Sequence, residues 1–265
     1  MSAPARFVTH RLLSAMLNTI RLLALTGVLL LAAGPFRPVE AQNLPRPRFE
    51  NENIYGFVLF DVFEAAPGLE GSPLAWDMFA SIGKEYDRFW IKSDGDLSTS
   101  QRGGEMEFQA LYSRLIAPYW ELQAGARFDV AYSSEQTRRR GHLVVGLEGL
   151  APYWFELEPA LFISQDGDVS ASLTGSYDLF VTQRLILQPR LDAVAAVQEV
   201  KTWGVGKGIN SVGLSLRLRY ELAREFAPYL GVSWSRLFGG TGDLARAEGE
   251  DTRTVGLVFG LRWWH

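Results

Sequence analysis

Residues 119–132 read YWELQAGARFDVAY. Trp120, Leu122, Ala124, Ala126, Phe128 and Val130 share one parity, while Tyr119, Glu121, Gln123, Gly125, Arg127 and Asp129 share the other. Successive side chains of a strand point to opposite sides, so this stretch predicts a strand that divides an apolar environment from a charged one.

The division recurs along the chain. At 169–181, Val169, Ala171, Leu173, Gly175, Tyr177 and Leu179 oppose Ser170, Ser172, Thr174, Ser176 and Asp178. At 211–222, Val212, Leu214, Leu216, Leu218 and Tyr220 oppose Ser211, Ser215, Arg217, Arg219 and Glu221. About twelve such segments follow one another, near 53–63, 74–83, 87–96, 105–116, 119–132, 142–150, 153–164, 169–181, 184–196, 211–222, 229–238 and 253–264. Their connections alternate. Short ones such as GKEY, LAPY and FVTQ follow the even strands; longer polar ones such as SDGDLSTSQRGG, SSEQTRRRGH, QEVKTWGVGKGINS and GGTGDLARAEGEDT follow the odd ones.

Short turns on one rim and long loops on the other predict an all-β fold, a transmembrane antiparallel up-and-down β-barrel of about twelve strands and of the outer-membrane type. Closure into a barrel pairs every backbone donor and acceptor, which a lipid core requires. A secreted β-sandwich also alternates, but its strands are typically about five or six residues long. Several segments here run to twelve or more residues and carry charges on their polar faces, which favours the barrel.

Ala-Pro-Tyr occurs three times, at 117–119, 151–153 and 227–229. A proline at the start of a strand costs no ladder bond, and an aromatic with a polar tip suits the membrane interface. Each copy is therefore expected to mark a periplasmic turn with its aromatic girdle.

Composition bounds the remaining possibilities. Arg6, Arg11 and Arg21, an apolar run from Leu22 to Ala33 and Val39-Glu40-Ala41 predict a signal peptide over residues 1–41. The apolar run is about a dozen residues, short of the about 20 that a membrane helix needs. Residues 42–52 then form a short periplasmic lead, and 53–265 the barrel. Residues 1–41 hold four Arg and one Glu, so the remainder carries a net charge of −7, which argues against nucleic acid as a partner. Cysteine is absent, which removes disulfides and thiolate sites.

The expected inward set includes Lys92, Asp94, Glu105, Glu107, Gln109, Glu121, Arg127, Asp129, Glu148, Glu156, Glu158, Arg184, Arg190, Asp192, Arg217, Arg219 and Glu221. Paired charges filling a lumen would account for most of these. EMEF (105–108) and FELEP (155–159) each set two Glu on one face. Beyond residue 41 the only His are His142, beside TRRR at an expected loop end, and the terminal His265. Both read as solvated. An outer-membrane hydrolase using His142 is the enzymatic alternative, but no motif supports it, and the protein is read as no enzyme. Met78 and Met106 fall in apolar sets and read as lipid-facing; SDGD (93–96) and QDGD (165–168) read as exposed turns rather than calcium loops, lacking the full ligand spacing.

YDRFWIKSDGD (86–96), LAPYWFELEPALFIS (150–164), YDLFVTQRLILQPRLD (177–192) and LRLRYELAREFAPYLGVSWSRLFGGTGDLARAEGED (216–251) resemble the copper resistance protein B family of Gram-negative outer membranes. The resemblance implies a location in the cell outer membrane, contact with outer-membrane lipid and with periplasmic copper-resistance proteins, and binding or export of excess copper ions. Such proteins commonly carry a Met- and His-rich segment ahead of the barrel. Here that stretch is QNLPRPRFENE, with neither residue. Copper handling would then fall to inward Glu105, Glu107, Glu156 and Glu158, with His142, and such hard ligands favour Cu(II) or less selective divalent cations. A general small-solute pore or structural barrel that has lost the metal role is the alternative.

Overall fold

The computed structural model describes residues 53–69, 71, 73–99, 103–133 and 136–265. The expected signal segment 1–41 and lead 42–52 lie outside the described residues. The strands are β1 (Tyr55–Ala65), β2 (Pro73–Gly83), β3 (Asp87–Ser98), β4 (Gly103–Ala117), β5 (Trp120–Ser133), β6 (Thr137–Ala151), β7 (Phe155–Ser164), β8 (Val169–Ser176), β9 (Leu179–Phe180), β10 (Leu185–Ala196), β11 (Gly208–Tyr220), β12 (Phe226–Leu237) and β13 (Arg253–Trp264). Among the described residues one α-helix, α1 (Gly239–Glu248), sits in the connection between β12 and β13.

Every pairing among these strands is antiparallel, and β13 returns to β1 through Leu59↔Trp264 and Phe60↔Trp263, so the sheet closes. β8 and β9 both pair with β10 and act as one stave, giving the twelve-stave barrel that the alternation predicts. The stave breaks at Tyr177 and Asp178, alongside Pro189 of β10. Proline has no N–H to give, so the ladder lapses there.

The apolar parity faces outward. Ile91, Phe108, Phe128, Leu143, Leu161, Leu214, Leu216, Leu230 and Leu257 are exposed on successive staves, while their sequence neighbours Lys92, Glu107, Arg127, His142, Arg217 and Val258 turn inward. An outward apolar band with an inward polar face is the arrangement lipid demands of a barrel. Met78 and Met106 hold outward register positions, as expected; Trp76 shares that parity and donates Nε1–H to Ser93 Oγ at 3.1 Å. No helix of the described residues is long and apolar enough to cross a membrane.

Two of the expected long loops are short. The ladders of β3–β4 and β5–β6 continue into the polar stretches, with β3 running to Ser98 and β4 starting at Gly103, and β5 running to Ser133 and β6 starting at Thr137; 165–168 joins β7 to β8. Two of their charges point into the barrel and find partners there: Arg140 is hydrogen-bonded to Asp168, and Arg138 lies against the Trp203 ring. SDGD is accordingly strand rather than turn, whereas QDGD is a turn with Gly167 at φ 84°. Arg184 and Glu221 lie in the short connections, outside the staves.

The repeated Ala-Pro-Tyr divides in two. Pro118 and Tyr119 join β4 to β5 with Tyr119 at φ 67°, the pattern of a type II turn with proline before a left-handed residue. Pro152–Trp154 forms a 3-10 turn in which Tyr153 and Trp154 are both at φ 69°. Left-handed bulky residues cost roughly 1–3 kcal/mol each, and here the conformation turns them outward at one rim, where the Tyr119 and Trp154 rings meet edge-on at 6.2 Å. The third copy departs from the expectation. Pro228 lies inside β12, and Tyr229 is buried in the lumen. Its hydroxyl bonds a carboxylate there, a stronger hold than an interface position would give.

Candidate functional site

The register sets inward carboxylates side by side. Asp77 of β2 faces Asp94 of β3, Asp94 faces Glu107 of β4, and Glu107 faces Asp129 of β5. One register step nearer the long-loop rim, Asp96 faces Glu105. Like charges directly opposite on neighbouring strands repel, and cations set among them relieve that repulsion.

Two arginines supply part of that offset. Arg127 of β5 lies between Glu107 and Asp129, with Nη2 2.6 Å from Glu107 Oε2 and Nε 2.6 Å from Asp129 Oδ1, and its guanidinium stacks 4.6 Å above the Phe162 ring. Arg190 reaches across from β10 to Asp77 at 2.7 Å, to Asp61 at 3.4 Å and to Asp192 at 3.1 Å. Among the described residues, the carboxylates of Asp94, Asp96 and Glu105 have no ion-pair or hydrogen-bond partner. A cavity of 680 Å³ runs beside this wall, lined by Asp77, Asp94, Glu107, Asp129, His142 and Glu158 among others.

His142 is not the solvated loop-end residue that its neighbours in sequence suggested. It lies within β6, inward and 9% exposed, because the β5–β6 ladder continues past it through Arg127↔His142. Its Nδ1 stands 3.5 Å from Asp129 Oδ2 and has no hydrogen-bond partner, and its ring meets Phe162 edge-on at 6.4 Å. Among the described residues no serine hydroxyl hydrogen-bonds it.

The five residues singled out from sequence are dispersed along the lumen. Glu107 and His142 flank Arg127; Glu105 lies nearer the loop rim. Glu158 is on β7, where Lys92 Nζ donates to its Oε2 at 2.8 Å and to Glu148 Oε2 at 2.7 Å. Glu156 accepts from Ser176 Oγ at 3.0 Å toward the short-turn rim. Among the described residues no three His, Asp or Glu side chains are gathered closely enough to hold a metal ion as they stand.

Asp94, Asp129, Asp77 and the cation Arg127 complete the acidic wall, and the sequence reading of metal ligands passed over them. Their signal was parity: Asp94, Arg127 and Asp129 belong to the expected inward set and Asp77 takes the parity opposite to Trp76 and Met78, but only strand register tells which carboxylates face one another. The reading also missed an apolar layer. Trp90, Leu111, Val144 and Phe162 are buried inside the barrel with Phe79 and Ala160 packed against them, so the lumen is not polar throughout.

The long-loop mouth is partly roofed. Trp203, in the 3-10 turn Lys201–Trp203 after β10, lines the cavity, with the Arg138 and Arg140 guanidinium groups 5.6 and 5.7 Å from its ring. Arg138 also donates to the Thr202 carbonyl. Cation–π contacts of this kind contribute roughly 0.5–1 kcal/mol when exposed and more when desolvated.

Comparison with known proteins gives the following. Residues 54–265 match the family described as Copper resistance protein B precursor (CopB). The chain is 38% identical over 222 residues to a copper resistance protein B of Escherichia coli, covering 84% of this chain and 73% of that protein. It is 37% identical over 211 residues to a copper resistance protein B homolog of Pseudomonas syringae pv. tomato, covering 80% and 70% respectively. Among solved structures it is similar to the KdgM porin, at a TM-score of 0.45 and 10% identity over 79% of this chain and 98% of that one. It is also similar to the NanC porin, at a TM-score of 0.48 and 11% identity over 79% and 99%.

Proposed function

The chain belongs to the copper resistance protein B family, and on that premise we propose that it is an outer-membrane barrel of a Gram-negative cell that confers copper resistance by holding Cu(II) in its lumen or passing it outward, without catalysis. The observation that carries this reading is the facing row Asp77, Asp94, Glu107 and Asp129, whose negative charge exceeds what Arg127 and Arg190 offset. Hard oxygen ligands beside an imidazole suit Cu(II) over Cu(I), which prefers sulfur.

Deletion of the gene is the test. The reading expects growth at elevated copper to fail and cell copper to rise, with both restored by the gene in trans; unchanged tolerance and copper content would sink it. A second reading, a conduit for small solutes that has lost its metal role, is favoured by the internal pairing of Lys92, Arg190 and Arg217. Copper-independent solute flux in liposomes, with tolerance unaffected by deletion, would select it.

A further inference from the structure

Resting on that reading, we propose that copper is held at one point of the lumen, by Asp94, Glu107, Asp129 and His142 on four consecutive staves, and that Arg127 is a resident cation which the metal displaces. The register brings the first three into direct opposition. Arg127 offsets one charge of the three, so the group keeps two negative charges, and Asp94 has no cationic partner of its own. Two negative charges beside the cavity match one divalent cation.

His142 is an independent pointer to the same place. Its side chain is 7% exposed, lines the cavity, and presents an unpartnered Nδ1 3.5 Å from Asp129 Oδ2. A buried ring nitrogen without a partner is unfavourable, and coordination to a metal satisfies it. Three carboxylate oxygens and one imidazole nitrogen form the N,O set that Cu(II) accepts in tetragonal geometry. The guanidinium of Arg127 now stands where its centre would fall, bridging Glu107 and Asp129. Phe162, 4.6 Å beneath it, offers a ring face along which the displaced guanidinium can slide away from the carboxylates.

The exchange separates this site from a merely structural ion pair. In a structural pair, removing Arg127 leaves unpaired acids and nothing else; in the proposed site it removes a competitor.

The test is Cu(II) binding by the protein purified from membranes in detergent without a histidine tag, read by competition titration and by electron paramagnetic resonance. Folding of each variant is checked by heat-modifiable migration on gels. One tight Cu(II) with nitrogen coupling from a single imidazole is expected, and His142→Gln should abolish that coupling while His265→Gln leaves it. Asp94→Asn should weaken binding by about tenfold or more without lowering the stability of the metal-free barrel, and Arg127→Gln should tighten it by a similar factor. Tight binding with a spectrum indifferent to His142→Gln and an affinity indifferent to Asp94→Asn would overturn this site and leave the copper reading standing. Weaker binding in a folded Arg127→Gln barrel would overturn the exchange. A folded barrel that binds no Cu(II), from a gene whose loss leaves tolerance intact, would overturn the site and the copper reading together.

Discussion

Glu64 of β1 and Arg217 of β11 lie 153 residues apart in sequence and meet as a two-pronged pair inside the barrel, with Nε to Oε2 at 2.9 Å and Nη2 to Oε1 at 3.1 Å. Tyr229 of β12 donates its hydroxyl to the same carboxylate at 3.1 Å. The pair ties two staves that are not neighbours across the inner face of β12 and β13. Planar guanidinium against carboxylate is the strong geometry for such a contact.

Breaking that pair from one side should therefore be costly. Glu64→Gln leaves the Arg217 charge buried against a neutral partner, and about 3–5 kcal/mol of stability is expected to go. Tyr229→Phe removes a hydrogen bond only and should cost about 1 kcal/mol. Urea unfolding in liposomes, followed by tryptophan fluorescence, measures both; equal losses would contradict the assignment.

The outward face can be tested against the inward one on a single strand. Leu214 of β11 is 49% exposed on the outward parity. Leu214→Arg should destabilise the barrel by about 2–4 kcal/mol in lipid, the cost of a cation on the lipid face near midplane. The same substitution at Ser215, which faces the lumen beside Arg217, meets water and should cost less. The reverse order in the same unfolding assay would invert the sidedness of the barrel.

Trp203 is predicted to restrict the long-loop mouth. With its ring flanked by Arg138 and Arg140, Trp203→Ala should release the turn and raise single-channel conductance in planar bilayers, and Arg138→Gln should do so to a smaller extent. Conductance equal to that of the unaltered protein would show that Trp203 does not narrow the path.

The sidedness of almost every stave was legible in the sequence, because parity alone sets which face a residue takes and the alternation is nearly unbroken in stretches such as 119–132. Strand register was not. That Lys92 serves Glu148 and Glu158, or that Asp94 stands between Asp77 and Glu107, depends on register across several ladders, which no single segment encodes. His142 was misplaced because TRRRGH reads as a loop by polarity, although the whole stretch is strand and Arg138 and Arg140 have partners inside the barrel. The third Ala-Pro-Tyr was misread for a related reason: the tripeptide is local, and whether its Tyr turns out or in depends on where the strand begins. The apolar layer of Trp90, Leu111, Val144 and Phe162 was visible as large residues on the polar parity.

The most direct test of the account uses carboxylates that the fold does not need. Asp94, Asp96 and Glu105 face the lumen with no ion pair among the described residues, so a barrel carrying Asp94→Asn, Asp96→Asn and Glu105→Gln should fold, insert and migrate as the unaltered protein does. Growth of a deletion strain at elevated copper, complemented with this variant, is the measurement. The account predicts a folded barrel at normal abundance that fails to restore tolerance; full tolerance from that barrel would contradict the claim that the acidic lumen handles the metal.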